Sequence, residues 1–319
     1  MANEILPGAP VLSVGAAPHF HCGASIQGRM RTILIALAPA VVGALYWYGM
    51  EAARVMALAV ATAVVTEALV TRLMDREIVV DDLHAVVCGL LFAFLLPAGA
   101  PWWLVMVGSA VTMILGKHVF GDLGGSPVVG PAVGWAFCRI SWPLFVDPNA
   151  TMLNIEMVNP LTQLKYFGAQ YAADFTVPAL LSGDQLGALG AVQVGALLLG
   201  GIYLLLRGTI QWQIPVGFII GVLGLGSVYY LMDPSLYASP VFHLLTGSTM
   251  LAAFFLMTDS SSSPSGLISG LVYGIIGGVL VILIRTYGKY PDGTMFAILL
   301  ANMVSPLVDL IRPKPFGAR

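Results

Sequence analysis

The chain has 319 residues, of which 58% are hydrophobic and only 9% are charged. Soluble domains carry about 25% charged residues, so this composition excludes a protein whose whole surface faces water. The mean hydropathy of +0.89, with apolar stretches of about twenty residues, predicts an all-α polytopic membrane protein in a lipid bilayer. The net charge of −2 is too small to bear on nucleic-acid binding, and the sequence has no basic cluster that would suggest a nucleic-acid partner.

In chain order, the apolar segments predict about ten transmembrane helices, several of them short or broken by Gly and Pro. They cover 32–50, 52–74, 84–100, 101–117, 131–146, 186–206, 214–232, 240–257, 267–285 and 293–311. The longest interval outside these spans is 147–185, and a second polar link, 258–265, is rich in serine. We therefore divide the chain into an N-terminal segment 1–30, a first membrane half 31–146, an outer loop 147–185, a second membrane half 186–312 and a tail 313–319.

The distribution of Lys and Arg predicts the orientation of these spans. If the N-terminus is cytoplasmic, nine basic residues face the cytoplasm: Arg29, Arg31, Arg72, Arg76, Lys117, Arg207, Arg312, Lys314 and Arg319. Only four then face the opposite side: Arg54, Lys165, Arg285 and Lys289. This bias predicts a protein of the bacterial inner membrane with both termini in the cytoplasm and the 147–185 loop in the periplasm. Residues 1–28 do not have the pattern of a cleavable signal peptide.

A weak internal repeat suggests two inverted five-helix halves with broken helices, as in many transport proteins. Leu83-His84 with Gly89 and Phe92 is echoed by His243-Leu244 with Gly247 and Phe254. Gly116-Lys117-His118 is likewise echoed by Gly288-Lys289-Tyr290. Chance similarity between apolar segments is the alternative explanation.

Charged groups inside a membrane span are costly and mark partners or pathways. Glu67 is expected to pair with Arg72 near the cytoplasmic end of its span. Arg139 is placed deeper, where it could pair with an acid or bind a flavin or phosphate on the outer side. Asp309 is expected to be a local partner of Arg312.

The histidines and cysteines have more ordinary interpretations. His84 and His243 each begin an apolar span, where a hydrogen-bonded structural role is commoner than a redox or proton role. Cys22, Cys88 and Cys138 are far apart in the sequence and lack metal-ligand spacing, so we predict no metal site.

Two segments are unusual in composition. The link 116–134 contains six glycines and two prolines, so it is expected to interrupt the helix. It could hold an anion on exposed N–H groups or serve as a plain cytoplasmic loop. The segment 244–266 has small residues followed by hydroxyl groups, which fits either helix packing or the lining of a site.

Several motifs resemble the D-type subunit of the Rnf electron-transport complex and the related B-type subunit of the sodium-pumping NADH:quinone oxidoreductase. The resemblance runs from about Pro18 to Pro313, and its most specific motifs are GKHVFG, NPLTQLK, TGSTMLAAFFLMTD and YPDGTMFAILLAN. It implies a membrane subunit that works with other membrane and iron–sulfur subunits to couple electron transfer to Na⁺ or H⁺ transport. No residue of this chain is expected to catalyse a reaction in isolation.

The resemblance also implies FMN, which is linked in this family through a phosphoester to a threonine in an outer-face loop. That threonine precedes Pro-Leu, and the matching residues here are Asn159, Pro160 and Leu161. An amide cannot form the phosphoester that a hydroxyl forms, so Asn159 argues against covalent attachment at this position.

Three alternatives remain for the flavin. Thr151 keeps an Ala-Thr pair at a different spacing, and Thr162 follows the Pro-Leu pair instead of preceding it. The third alternative, which we favour, is that FMN is absent or bound without a covalent link, with Arg139 as a further flavin-binding candidate. Riboflavin could also bind near the inner face.

The sequence therefore supports three functional hypotheses. The first is a membrane subunit of a redox-driven ion translocase, in which the protein positions a cofactor that carries the chemistry. The second is a channel or transporter of a small polar solute. The third is a scaffold subunit of the same complex that has lost its flavin.

Overall fold

A computed structural model describes residues 25–75, 81–121, 124–152 and 157–311, and within these ranges the regular structure is helical, without strands. Four helices are long and apolar enough to cross a membrane: Ile26–Leu73, Trp102–Phe120, Gln213–Met232 and Leu267–Tyr287. Three shorter apolar helices accompany them: His84–Phe94, Val194–Leu206 and Thr294–Val308. The predicted all-helical polytopic membrane protein is confirmed.

Helix α1 (Ile26–Leu73) contains the first two predicted spans. Ser25 caps its start, because the Ser25 hydroxyl oxygen accepts a hydrogen bond from the Gly28 amide. The helix is kinked at Gly49, whose φ of 59° and ψ of −138° are open to glycine and strained for other residues. The Arg29 and Glu67 portions lie at the same end of the bundle, so the chain turns back at this glycine.

The first half of the bundle is completed by three short helices. Helix α2 (His84–Phe94) stops well before the predicted end at residue 100, and an irregular stretch leads into α3 (Trp102–Gly116). The Arg54 side chain donates to the carbonyls of Ala98 and Ala100 in this stretch, which satisfies backbone groups that have no helical partner. Helix α4 (Gly130–Ser141) also ends earlier than the predicted 146.

The glycine-rich link interrupts the helix as predicted. Helix α3 ends at Gly116, a short 3₁₀ turn covers His118–Phe120, and α4 starts at Gly130. A Cβ on Gly116 would lie 2.3 Å from the Cα of Gly130, so the two helix ends approach too closely for a larger residue at position 116.

The interval 147–185 contains short helices in its described part. They are α5 (Pro148–Thr151), α6 (Pro160–Phe167) and α7 (Val177–Ser182), with a 3₁₀ segment at Ala169–Asp174. The next predicted span began at residue 186, but α8 (Val194–Leu206) starts later. The preceding residues are irregular and bond to the first half, where the Leu189 amide donates to the Leu96 carbonyl.

The second half continues with α9 (Gln213–Met232), α12 (Leu267–Tyr287) and α13 (Thr294–Val308). Between α9 and α12, the predicted span 240–257 is broken. Helix α10 (Pro240–Leu245) ends, three residues leave helical geometry, and α11 (Thr249–Leu251) continues as a π-helical turn over Ala252–Leu256. Gly247 lies in this break with a φ of 64°.

Side-chain contacts sort the helix ends into two faces. Arg29 bonds to the Thr209 carbonyl at one end, which we call the Arg29 face, and Glu67 and Lys117 lie there too. The opposite end is the Arg139 face. The Ser265 amide donates to Asp309, and Ser265 lines one cavity together with Arg29, so the start and the end of the described residues both lie on the Arg29 face.

The two halves repeat one packing order in opposite directions. In the first half, the second part of α1 packs on the interrupted α2 and on α3, and α3 packs on α4. In the second half, α9 packs on the broken α10 and on α12, and α12 packs on α13. The first crossing of the first half, at the start of α1, runs away from the Arg29 face. The first crossing of the second half, α8, runs towards that face. This packing order is the one that an inverted repeat requires, and the repeat itself stays a prediction.

Candidate functional site

A cavity of about 70 Å³ opens on the Arg139 face, between the end of α4, the start of α6 and the break after α10. Five of the six sequence-predicted site residues line it: Arg139, Asn159, Pro160, Leu161 and Thr162. Thr151 lies outside the cavity lining, at the end of α5, and its hydroxyl donates to the Asp147 carbonyl at 2.9 Å. The fold therefore brings most of the predicted flavin loop together with the buried arginine.

Arg139 lies in the last turn of α4, with only 9% of its side chain exposed. One terminal nitrogen donates to the Pro143 carbonyl at 2.9 Å, and the other lies 3.5 Å from the carboxylate of Asp147. The guanidinium carbon also lies 4.9 Å from the centre of the Tyr290 ring, which is a cation–π distance. Of the two predicted roles, pairing with an acid is therefore observed.

The Nε atom of Arg139 is buried and makes no hydrogen bond within the part of the chain that the structure describes. The Oε1 atom of Gln185, another residue lining the cavity, is in the same situation, although its Nε2 donates towards the Leu245 carbonyl at 3.3 Å. One donor and one acceptor are thus available beside the same cavity. A small polar group could bond to either.

Asn159 has a structural role that its sequence motif did not reveal. It is the N-cap of α6, and its side-chain oxygen accepts hydrogen bonds from the amides of Leu161 at 3.1 Å and Thr162 at 3.2 Å. Pro160 follows at the first helical position, where its missing N–H costs nothing. The asparagine therefore starts the helix that carries the rest of the motif.

The nearby hydroxyl groups are also engaged. The Thr162 hydroxyl oxygen accepts a hydrogen bond from the side-chain amide of Asn149 at 3.0 Å, and the Thr151 hydroxyl donates to a backbone carbonyl. Position 159 itself offers an amide that is already used as a cap. The described residues therefore do not fit an FMN linked by a phosphoester at position 159.

Lys165 anchors the same motif to the end of α12. Its ammonium group donates to the carbonyls of Arg285 and Tyr290, each at 3.3 Å, and also to that of Gly288. The Arg285 carbonyl belongs to the last turn of α12, whose partial negative charge a cation stabilises. Removal from water lowers the pKa of the Lys165 side chain.

On the Arg29 face, Lys117 forms a buried ion pair with Glu67, and the carboxylate of Asp82 lies 3.8 Å from the Lys117 ammonium. The sequence predicts a pair of Glu67 with Arg72 and places Lys117 at the cytoplasmic end of its span. In the structure Arg72 is exposed, and Lys117 contacts Glu67. Lys117 was missed because it is distant from Glu67 in sequence. Arg312, the predicted partner of Asp309, lies outside the described residues, whereas the Ser265 amide donates to Asp309 at 3.3 Å.

Both histidines are near the predicted helix starts. His84 is the first residue of α2, and Cys88 Sγ lies 3.5 Å from its Nε2. His243 is buried within α10. Cys88 and Cys138 are buried thiols, Cys22 lies outside the described residues, and the described residues contain no group of three metal-ligating side chains.

With this geometry in place, comparison with known proteins identifies the family. Residues 13–317 match the model of the NQR2, RnfD, RnfE family. The chain belongs to this family. The D-type subunit of the Na⁺-translocating ferredoxin:NAD⁺ oxidoreductase complex of Acetobacterium woodii is 34% identical over 303 residues, which cover 93% of this chain and 92% of that protein.

Two further relatives are similar to nearly the whole chain. The D-type subunit of the ion-translocating oxidoreductase complex of Cronobacter sakazakii is 33% identical, over 97% of this chain and 100% of its own length. The Salmonella typhimurium protein of the same description is 31% identical, over 97% and 99%. The expected membership of the NQR2, RnfD, RnfE family is confirmed.

Sequence reasoning missed several residues at the cavity of this family member. Asp292, Ser248 and Gln185 line it, and Arg285 lies directly behind Asp292. Burial alone would raise the pKa of the Asp292 carboxyl, but Arg285 and the Ser248 and Thr294 donors outweigh burial and hold that pKa below its usual range. Asp292 and Ser248 lie inside the family motifs YPDGTM and TGSTM, so the motifs were the signal that could have found them.

Proposed function

We propose that this chain is the D-type membrane subunit of an ion-translocating oxidoreductase complex. The similarity of nearly its whole length to subunits of that description supports this proposal. Its work there is to position groups for electron transfer and ion movement, while the cofactors of the complex carry the redox chemistry.

A direct test uses membrane vesicles from cells that lack this subunit. Redox-driven ion uptake should be lost and should return when the wild-type chain is restored. Uptake that persists without the subunit would contradict the proposal. Solute flux through the isolated chain in liposomes, without redox partners, would instead support the transporter hypothesis, which the inverted repeat and the broken crossing favour.

We further propose that the Arg29 face is cytoplasmic, in a bacterial inner membrane. The count of Lys and Arg along the sequence, nine assigned to that side against four to the other, supports this orientation. It predicts that cysteines introduced beside the exposed Arg31 react with a membrane-impermeant thiol reagent only in inverted vesicles. Cysteines beside the exposed Tyr166 should show the opposite behaviour, and labelling of the Arg31 site in intact spheroplasts would overturn the assignment.

The third part of the proposal concerns the flavin. We propose that this subunit carries no FMN through a phosphoester at position 159 and that any FMN it uses is bound noncovalently. The capping role of the Asn159 amide supports this, because the side chain is an acceptor for two backbone amides and has no hydroxyl.

The experiment is the intact mass of the purified subunit together with in-gel flavin fluorescence after denaturation. We expect an unmodified mass and no fluorescent band. A mass increase equal to FMN minus water would contradict the proposal. The variants Thr151→Val and Thr162→Val would then identify the linked hydroxyl, because only the variant that removes it loses the added mass. Flavin released from the denatured native complex would distinguish noncovalent binding from a flavin-free scaffold.

A further inference from the structure

The break between α10 and α11 surrounds the guanidinium group of Arg285 with oxygen atoms. Arg285 lies near the end of α12, and only 2% of its side chain is exposed. Its terminal nitrogens have five oxygen neighbours at 2.6 to 3.3 Å: the carbonyls of His243 and Thr246, the hydroxyls of Thr249 and Thr294, and one carboxylate oxygen of Asp292.

Four of these oxygens surround a single nitrogen, Nη2. That nitrogen has two hydrogens, so it cannot make four full hydrogen bonds at once. The surroundings therefore resemble the coordination shell of a cation more than a set of individual hydrogen bonds. Backbone carbonyls, hydroxyls and a carboxylate are the oxygen donors that bind hard cations.

The position of this shell also matches the place where transporters bind ions. In discontinuous membrane helices, the carbonyls of the unwound segment coordinate coupling cations. Here the carbonyls of His243 and Thr246 come from the end of α10, and Thr249 begins α11. The place of the ion is taken by a side chain of the protein itself.

Asp292 completes the arrangement from the other side of the break. Its Oδ1 faces Arg285 at 3.1 Å, while its Oδ2 accepts hydrogen bonds from the amide and the hydroxyl of Ser248. The Arg285 guanidinium group thus bonds to carbonyls at the end of α10, and the Asp292 carboxylate bonds to the Ser248 amide just before α11. This one ion pair therefore supplies partners for the backbone groups on both sides of the break.

We propose that Arg285 is a built-in cation that occupies the cation site of the broken α10–α11 crossing and so positions Ser248 and Asp292 at the outer cavity. The ion that the complex transports then does not bind at this break. Arginine keeps its charge in proteins, so the site does not lose its cation by deprotonation. The residue acts through Ser248 and Asp292 and is a positioning residue.

The test is chemical rescue of Arg285→Ala in the purified complex. This variant leaves the oxygen shell with a space that matches a guanidinium ion. We expect a lower melting temperature and lower activity than in the wild type, and both should rise with millimolar methylguanidinium chloride. Choline chloride at the same ionic strength should have no such effect, because its bulky head group has no N–H donor. Rescue by choline, or no response to methylguanidinium in an assembled complex, would overturn the proposal.

Two further variants keep the test decisive. Arg285→Lys retains a cation in the shell, so it should melt between the wild type and Arg285→Ala and should not respond to methylguanidinium. If Arg285→Ala does not assemble, addition of methylguanidinium during expression should restore assembly. Failure to do so while Arg285→Lys assembles normally would contradict the cation role.

The matched control is Arg54→Ala. Arg54 also donates to two carbonyls on the Arg139 face, but its side chain is 47% exposed, and methylguanidinium should not affect this variant.

Discussion

The two halves of the bundle place a cation at the end of equivalent helices and stabilise it in different ways. Lys117 follows α3 and pairs with the carboxylate of Glu67, with 5% and 3% of the two side chains exposed. Arg285 lies near the end of α12 and is surrounded mainly by carbonyl and hydroxyl oxygens, with one carboxylate. The first half therefore balances its cation with acids from other segments, and the second half balances it with the backbone of a broken helix.

The difference shows how each break is supported. On the Arg29 face, the amide of His84 at the start of α2 donates to Asp82, whose carboxylate also lies near Lys117. On the Arg139 face, the guanidinium group of Arg285 contacts the carbonyls of the break directly. An ion pair between buried side chains depends on both partners, whereas a carbonyl shell needs only a cation of suitable shape. The two sites should therefore respond differently to substitution.

The largest effect is expected from Lys117→Met. It removes the cation that pairs with the buried Glu67, and breaking a buried pair costs about 3–5 kcal/mol. The complex should melt at a much lower temperature or fail to assemble. The double variant Glu67→Gln, Lys117→Met removes both charges of the pair, so it should recover most of the lost stability. Methylguanidinium should not rescue Lys117→Met. Rescue there would erase the proposed distinction between the two sites.

Arg139→Ala tests a third buried cation, at the cavity that Arg139 and Asn159 line. Loss of its charge-assisted bonds to Pro143 and Asp147 should cost about 2 kcal/mol of stability. We expect the activity of the complex to fall by a larger factor than the abundance of the subunit, measured by immunoblot in the same membranes. Equal losses would mean that Arg139 only supports the structure.

Gly247→Ala tests how tightly the break is packed around its cation. A Cβ at this position would lie 2.7 Å from Asp292 Oδ2 and 2.8 Å from Arg285 Nη2, and the φ of 64° is already unfavourable for alanine. The expected cost is about 1–3 kcal/mol, seen as a lower melting temperature. Gly208→Ala is the matched control, because it has the same φ of 64° and nothing within 4 Å of its Cβ. Equal effects would show that the shell around Arg285 is loose.

Asn159→Ala removes the cap of α6, which should cost about 1 kcal/mol. Asn159→Asp keeps a capping oxygen, so it should retain most of the wild-type melting temperature. Protease sensitivity of the outer segment is the more local readout, and it should increase in Asn159→Ala alone. An unchanged digestion pattern would mean that packing, and not the cap, holds this helix.

The smallest expected effect is a pH dependence at the Arg285 shell. The pKa of Asp292 is held below its usual range, so its stabilising contribution is complete above the ordinary carboxyl pKa of about 4 and is lost as the pH falls through the lower folded-state pKa. The melting temperature of the wild-type complex should therefore fall more steeply than that of Asp292→Asn below about pH 4. Parallel curves would show that Arg285 and Asp292 are not linked in this way.

Much of the fold could be predicted because membrane insertion acts on local composition. Apolar stretches indicated the long membrane-crossing helices and their order, and the glycines and prolines between Gly116 and Gly134 marked a true interruption. The early ends of α2 and α4 could not be predicted. After α2, Leu95, Leu96 and Ala98 are buried in irregular backbone that bonds to Arg54 or to the segment before α8. After α4, Leu144 and Phe145 are exposed. Hydrophobicity alone does not distinguish either stretch from helix.

By itself, the sequence determined that this is a polytopic membrane protein of the NQR2, RnfD, RnfE family, and it identified the interval 147–185, in which Asn159 stands at the position where the family resemblance predicts a threonine. Only the tertiary structure decided that Asn159 caps a helix, that Lys117 pairs with Glu67 and that Arg285 fills the break after α10. The physical reason is that composition and spacing reflect the local preference of a segment for helix and its tendency to enter the membrane. The partner of a buried charge is chosen by the packing of helices that are distant in sequence.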